Sequence, residues 1–480
     1  MKKITLLILF IFTIQVSFAQ VGIGTTTPDP SSMLDISSTT GGVLTPRMTT
    51  SQRNLISNPA TGLLVFDIDD NLFYFYDGSV WLPMSSTMNR TNYKLVKSIA
   101  DLTDELTAGG GTKYVLNENF LYEINGVISF DYPIDLNGAY IRGQDTGEDV
   151  LLNNSGSTFF SGTKGGHIRD VLINGNGARV FNITGTNVEN LIMYSVITIN
   201  ASAVGTLNNL GVVFFNVVQY VNNNDGLDVS NINSFFGQNV FWTETNQNTF
   251  LTLSGTYNNL QMANGRIVAD TGETGIDVSS NPTITNAALL SGLSFVGDGT
   301  LVAGYLPSVY DGYSFSNSWD VNCEGIPLET DGNATGDLNF NFTAGGGANT
   351  TFVANQAPVK LNGATTSNSL FRFIRSGNNR IVYNGNKTRF FNLTASISFE
   401  GNTSQDRYIF YVAKGSNGST TPTVIDETGV WRRIGGAFDI GAVPLIGTVE
   451  LSPGDYIEVW AERFSGSGSL FTVSLNLTIR

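Results

Sequence analysis

The chain has 480 residues, more than one hydrophobic core usually organises, so two or three structured regions are expected. Charged residues make up 14%, against roughly 25% in an average soluble protein, yet 41% are apolar and 11% aromatic, which excludes disorder for most of the chain. Twenty-five Lys and Arg against 40 Asp and Glu leave a net charge of −15, which disfavours nucleic acid and anionic membrane surfaces, and one cysteine (Cys323) and one histidine (His167) exclude an intrachain disulfide and a Cys/His zinc site.

Residues 1–19 read as a signal peptide: Lys2 and Lys3 precede an apolar stretch from Ile4 to Ile14, and the small residues Ser17 and Ala19 suit cleavage after Ala19. No later segment is apolar for long enough to span a bilayer, so a secreted or cell-surface protein with no transmembrane segment after cleavage is expected. With 53 Gly and only 13 Pro among β-branched and aromatic runs, the remainder reads as all-β with many turns. The first block, residues 20–87, is a small β-rich head in which LLVFDI and LFYFYDG form a hairpin around Asp69-Asp70-Asn71. Gly22, Gly24 and Pro28, then Leu34-Asp35-Ile36, Pro46-Arg47-Met48-Thr49 and Tyr76-Asp77-Gly78 with Trp81, resemble a segment found near the amino terminus of secreted Bacteroidota proteins, some described as tail-fibre-like. That resemblance implies an extracellular structural module and names no reaction.

After a linker at 88–119, residues 120–310 carry an internal repeat. Apolar residues recur at offsets of +3 and +5: Ile168, Val171, Ile173; Val188, Leu191, Met193; Leu207, Leu210, Val212; Tyr257, Leu260, Met262; and Ile284, Ala287, Leu289. In Ile232, Phe235, Gly237 a glycine takes the third place. The intervals between first members, from Ile168 through Val188, Leu207, Ile232 and Tyr257 to Ile284, suit one coil of a right-handed parallel β-helix and are too short for a paired-helix repeat. Asn222-Asn223-Asn224 fits a coil corner. A stack of antiparallel hairpins is the alternative. The pattern resembles that of tailspikes and pectate-lyase-like proteins.

Residues 311–330, with Trp319, Cys323 and Pro327, read as a loop-rich hinge, and 331–480 as six or more long alternating strands, a jelly-roll β-sandwich. Phe391 to Phe399, Tyr408 to Lys414, and Leu451 to Glu462 with Pro453-Gly454-Asp455 and Trp460 resemble tumour-necrosis-factor-like, complement-like and, more closely, phage-fibre jelly rolls. The resemblance implies a homotrimer whose tip binds a surface receptor; a monomeric sandwich is the alternative.

The sequence contains no complete catalytic or metal motif. His167 lies in Gly165-Gly166-His167-Ile168, not on a nucleophile elbow, and reads as a solvent-facing corner residue. Gly156 to Lys164 misses phosphate-loop spacing, and Asp67-Ile-Asp69-Asp-Asn71 lacks the glycine and glutamate of a calcium loop because Leu72 and Gly78 stand there. No cofactor or metal is expected. If the β-helix cleaves a glycan, Asp225, Asp228 and Glu244 are the candidate acids and bases, with Tyr220 or Trp242 as a platform for a sugar ring. Turn acids and Asn ladders are the structural alternative. Taken together the blocks describe a secreted, fibre-like, homotrimeric surface protein that adheres to a glycan or receptor. A secreted polysaccharide lyase or glycoside hydrolase is the second reading and a purely structural extracellular component the third. A groove lined by Asn, Ser and Thr would speak for binding, and three converging acids beside an aromatic for cleavage.

Overall fold

The computed structural model describes residues 20–84, 91–305, 310–343 and 346–480, so the expected signal peptide lies outside the described residues. The chain divides into two compact units, Met1–Thr91 and Asn92–Arg480.

In the first unit, Val21–Ile23 pairs in parallel with Leu34–Ile36. A separate four-stranded sheet runs in the order Arg47–Met48, Leu64–Asp67, Leu72–Tyr76, Trp81–Pro83. The hairpin is present as read: Leu64 to Asp67 pairs antiparallel with Phe75 to Leu72, and Asn71 takes the left-handed turn position with φ 55°. Asp67 is used structurally, accepting from the Thr50 hydroxyl and the amides of Asp69 and Asp70 and pairing with buried Arg53 at 2.9 Å.

The second unit begins with a parallel β-solenoid of about nine turns. Nine short strands, from Tyr114–Val115 to Thr300–Ala303, stack into one face. Longer strands, from Tyr93–Val96 to Trp319–Glu324, stack into the rest. Every pairing between coils is parallel, which sets aside the antiparallel hairpin stack.

The longer strands bend at a single column of left-handed residues: Asp170, Ser195, Val217, Asn239, Asn264 and Gly292, with φ of 55, 54, 54, 51, 59 and 65°. A left-handed residue turns the chain and restarts the in-out alternation, so the inward residues flanking it lie three apart. Ile168 and Val171, Met193 and Val196, Phe215 and Val218 are such pairs, all buried. The bend accounts for the spacing of Ile168, Val171 and Ile173, the one triad of the +3, +5 pattern that spans it.

The register drawn from sequence holds for two coils, since Phe235 pairs with Leu260 and Gly237 with Met262. Elsewhere it slips. Ile168 stacks on Met193, the Leu191 and Met193 columns continue at Val213 and Phe215, and Val188, expected inside, is 74% exposed. One column of stacked residues runs from Ile168 through Met193, Phe215, Gly237 and Met262 to Leu290, and the coils it marks off are unequal. Those from Met193 to Phe215 and from Phe215 to Gly237 are the shortest, and that from Met262 to Leu290 is the longest. Inside, Met262 reaches toward the space left at Gly237, its Cγ 3.4 Å from where a Cβ would stand.

Two boundaries differ from expectation. Tyr93–Val96, in the stretch read as linker, pairs in parallel with Leu121–Ile124, and the short helix Thr103–Ala108 follows it. There Leu102 joins the core, while buried Glu105 binds Lys94 and the Tyr122 hydroxyl, each at 2.8 Å. At the other end Trp319–Glu324, read as hinge, pairs with Thr283–Val296 as a further solenoid strand. The buried Trp319 is therefore core, and half-buried Cys323, its thiol pKa pushed up by burial, packs against it.

Beyond it, two antiparallel sheets face each other. One holds Gly336–Asn341, Leu470–Ile479, Arg389–Gly401 and Ile440–Leu451; the other holds Phe373–Arg375, Ile381–Tyr383, Tyr456–Ser465, Arg407–Gly415 and Thr423–Arg433. Leu338, Leu393, Phe399, Phe410, Leu445, Ile457, Val459 and Leu477 fill the space between them.

Candidate functional site

A groove of about 340 Å³ lies along one corner of the solenoid, where the longer strands end and the short-strand face begins. It is lined by Gly177, Asn200, Ala201, Ser202, Asn222, Asn223, Asn224, Thr245 and Gln247, which come from successive coils. Asn200 and Asn222 hold φ of 54 and 55°, conformations that asparagine tolerates because its short side chain can satisfy nearby backbone.

Two asparagine ladders run through this corner. In the outer one Asn222 Nδ2 donates to Asn200 Oδ1 at 2.7 Å, and the Asn222 amide donates to Thr245 Oγ1 at 2.9 Å. In the inner one Asn223 and Asn246, each 1% exposed, replace backbone partners that the turn removes. Asn223 Oδ1 accepts from the Ala201 amide at 3.0 Å, and its Nδ2 donates to Thr198 O and Asn246 Oδ1, both at 3.0 Å. Asn246 Nδ2 donates in turn to Tyr220 O at 2.7 Å. The inner ladder holds the corner rigid, and exposed Ser202, Asn224 and Gln247 present hydroxyl and amide groups to solvent.

Such a surface offers neutral donors and acceptors side by side, which match the hydroxyl groups of a sugar. Its lining contains no carboxylate, imidazole or thiol, the groups that transfer protons or attack carbon.

The five residues singled out from sequence are placed apart from this lining. Asp225, half-buried on the same corner, accepts the Gly226 amide at 3.0 Å and the Thr249 amide of the next coil at 3.4 Å, so it joins coils. Glu244 is exposed on the following coil's turn, and Asp228 is exposed on the short-strand face between Thr206 and Thr252. Among the described residues no group of three or more His, Cys, Asp or Glu side chains is arranged to hold a metal ion.

Tyr220 and Trp242 cannot form a solvent-facing platform. They are 0% and 1% exposed, with ring centroids 5.9 Å apart in the core beside Phe250. The left-handed residues Val217 and Asn239 place positions three and five beyond Phe215 and Gly237 on the inner side. His167 also differs from its reading: it lies on a strand, Gly166–Asn174, half-buried and stacked on Tyr140 at 5.1 Å, and burial lowers its pKa. The inner ladder had one visible sign in the sequence, the Asn222-Asn223-Asn224 run, but nothing there shows that only the middle asparagine turns inward.

Residues 22–98 match a family model described as the phage tail like trimerisation region. No curated protein matches the chain by sequence. Among solved structures, the chain is similar to bacteriophage CBA120 tailspike protein 4, with 10% identity and a TM-score of 0.24 over 91% of this chain and 77% of that one. It is similar also to tailspike gp49 of the Acinetobacter baumannii bacteriophage Fri1, described as a capsular polysaccharide depolymerase, with 7% identity and a TM-score of 0.20 over 91% of this chain and 98% of that one. Murine APRIL matches 30% of this chain and 98% of its own, with 12% identity and a TM-score of 0.22. Over the described residues no helix is long and apolar enough to cross a membrane.

Proposed function

We propose that the chain is a fibre-like homotrimer of the cell surface or extracellular space that binds a glycan along the amide-lined corner of its solenoid. The observation that carries this reading is the composition of the groove: amides, hydroxyls and small residues from successive coils, with no proton-transferring group among them. Trimer formation is supported by the family match over residues 22–98. Three copies would present three grooves, and multivalency raises avidity where each contact is weak. Secretion by the amino-terminal signal, and a second receptor surface on the sandwich, belong to the same proposal.

Light scattering on the full chain and on a chain lacking residues 22–84 tests the assembly, with trimer and monomer expected respectively; a monomeric full chain refutes it. A glycan array tests the ligand. The double variant Asn224→Ala, Gln247→Ala should weaken array binding about tenfold, as expected for two lost hydrogen bonds. Unchanged binding would move the site elsewhere.

The second reading, a polysaccharide-cleaving enzyme, is favoured by one observation, that Asp225 and Glu244 occupy the same corner on successive coils. It requires loss of cleavage in Asp225→Asn or Glu244→Gln, measured as release of reducing ends.

A further inference from the structure

We infer that the cleft between the last solenoid coil and the sandwich is a second binding site, one that takes a hydroxyl group of a polyol or of a terminal sugar. The cleft has a volume of about 390 Å³, and Ala287, Asp320, Asp331, Arg372, Asn386 and Lys387 are among the residues that line it.

Arg372 is 1% exposed and Asp331 8%. Both guanidinium nitrogens at the tip of Arg372 are engaged: Nη1 donates to Asn317 O at 2.5 Å, and Nη2 to Trp319 O at 2.6 Å and Glu329 O at 3.2 Å. Asp331 Oδ2 accepts the amides of Asn386 and Lys387, each at 2.8 Å. The remaining polar atoms of the two side chains, Arg372 Nε and Asp331 Oδ1, make no hydrogen bond and face each other as an ion pair at 3.6 Å, beyond hydrogen-bond distance. An unmet donor thus lies beside an unmet acceptor on the wall of a cleft, in two residues that are each more than nine-tenths buried.

A buried polar atom left without a hydrogen bond is costly, so the pair favours a group that satisfies both atoms at once. A hydroxyl does so: its oxygen accepts from Nε–H while its proton is donated to Oδ1. An anion would accept from Nε–H but be repelled by the carboxylate, and a cation would meet the reverse. The rim adds no net charge, because Lys387 Nζ lies 3.2 Å from Asp320 Oδ2. Site chemistry therefore selects a neutral hydroxylated ligand. The backbone at Arg372 is held at φ 58°, a strained conformation for a long side chain of the kind that persists where the surroundings enforce it.

The test is saturation-transfer NMR on the full chain with glycerol and with methyl α-D-mannopyranoside as probes and sodium sulfate as competitor. Transfer is expected to at least one probe. Transfer to the mannoside alone identifies a glycan terminus, and transfer to glycerol a free polyol. Ala287→Trp fills the cleft from an exposed position and leaves the buried pair in place. It should weaken binding at least about tenfold, as should Asp331→Asn, which turns a donor toward Nε–H. The share of the transfer that Ala287→Trp removes should persist in the groove variant Asn224→Ala, Gln247→Ala, so the two sites fail separately. No transfer from either probe, or transfer undiminished by Ala287→Trp, would overturn the inference and leave a bridging water as the occupant, and displacement by sulfate would overturn it in favour of an anion.

Discussion

Replacing Asn223 by alanine tests whether the inner asparagine ladder carries the corner. The substitution removes three side-chain hydrogen bonds at a position 1% exposed, and it orphans the Ala201 amide, itself on a residue 3% exposed. A buried donor left unmet costs about 1–3 kcal/mol and each of the two further bonds about 1 kcal/mol, which gives roughly 3–5 kcal/mol. For a cooperative unit the size of the solenoid, 1 kcal/mol corresponds to about 2–4 °C, so the Tm of the full chain followed by circular dichroism should fall by about 6–20 °C. Asn224→Ala, one residue away but exposed, should stay within about 0.5 kcal/mol of the parent. A fall of less than about 2 °C for Asn223→Ala would show that water replaces the lost partners and that the ladder does not hold the corner.

Three further outcomes are expected. Gly265→Ala should cost more than about 3 kcal/mol, because φ is 118° and the added Cβ would lie 2.1 Å from Val240 O; unfolding within about 1 kcal/mol of the parent would contradict that geometry. Glu458 is buried, which by itself would raise its pKa, but hydrogen bonds from Lys360, Trp460 and Arg380 outweigh burial and hold it below the usual 4.5. The unfolded chain takes up this proton at higher pH than the folded one, so the stabilisation is present above pH 4.5 and is lost as pH falls below it. Glu458→Gln should cost about 2–3 kcal/mol at pH 7, discounted for half-exposed partners, and should flatten the acid limb of Tm against pH. The single histidine gives one titration curve by proton NMR, and its midpoint should lie below 6.5 because the half-buried ring disfavours charge; a midpoint at or above 6.5 would contradict the stacked placement on Tyr140.

How much of this was legible in the sequence depends on which residues a role demands. Inward positions demand bulk, so Leu191, Phe235, Leu260 and Met262 announced the solenoid. The bend demands only a left-handed backbone, and Asp170, Ser195, Val217, Asn239, Asn264 and Gly292 meet it with five kinds of side chain. Nothing marks that column in the sequence, and without it the register slipped at Val188 and Val212. The same bend turns Tyr220 and Trp242, read as a platform for a sugar ring, into the core, because in-out alternation restarts at Val217 and Asn239. Trp319–Glu324 was hidden differently, by Pro327 and the glycines around it, which suggest loops although the strand pairs with Thr283–Val296. The junction pair Asp331 and Arg372 comes from distant parts of the chain, joined only by the fold, and had no sequence signal at all.

The uneven coil lengths have a consequence for how such a shaft can change. The short coil from Met193 to Phe215 and the long one from Met262 to Leu290 share one ladder, so additional residues bulge outward at the perimeter while the inward columns keep their cross-section. An insertion beside exposed Asn224 that leaves Asn223 in its ladder would thus reshape the groove's rim without asking the core to repack. The shaft separates the part that must stay constant from the part free to be rewritten, and a family of corner surfaces is reachable from it by small loop edits.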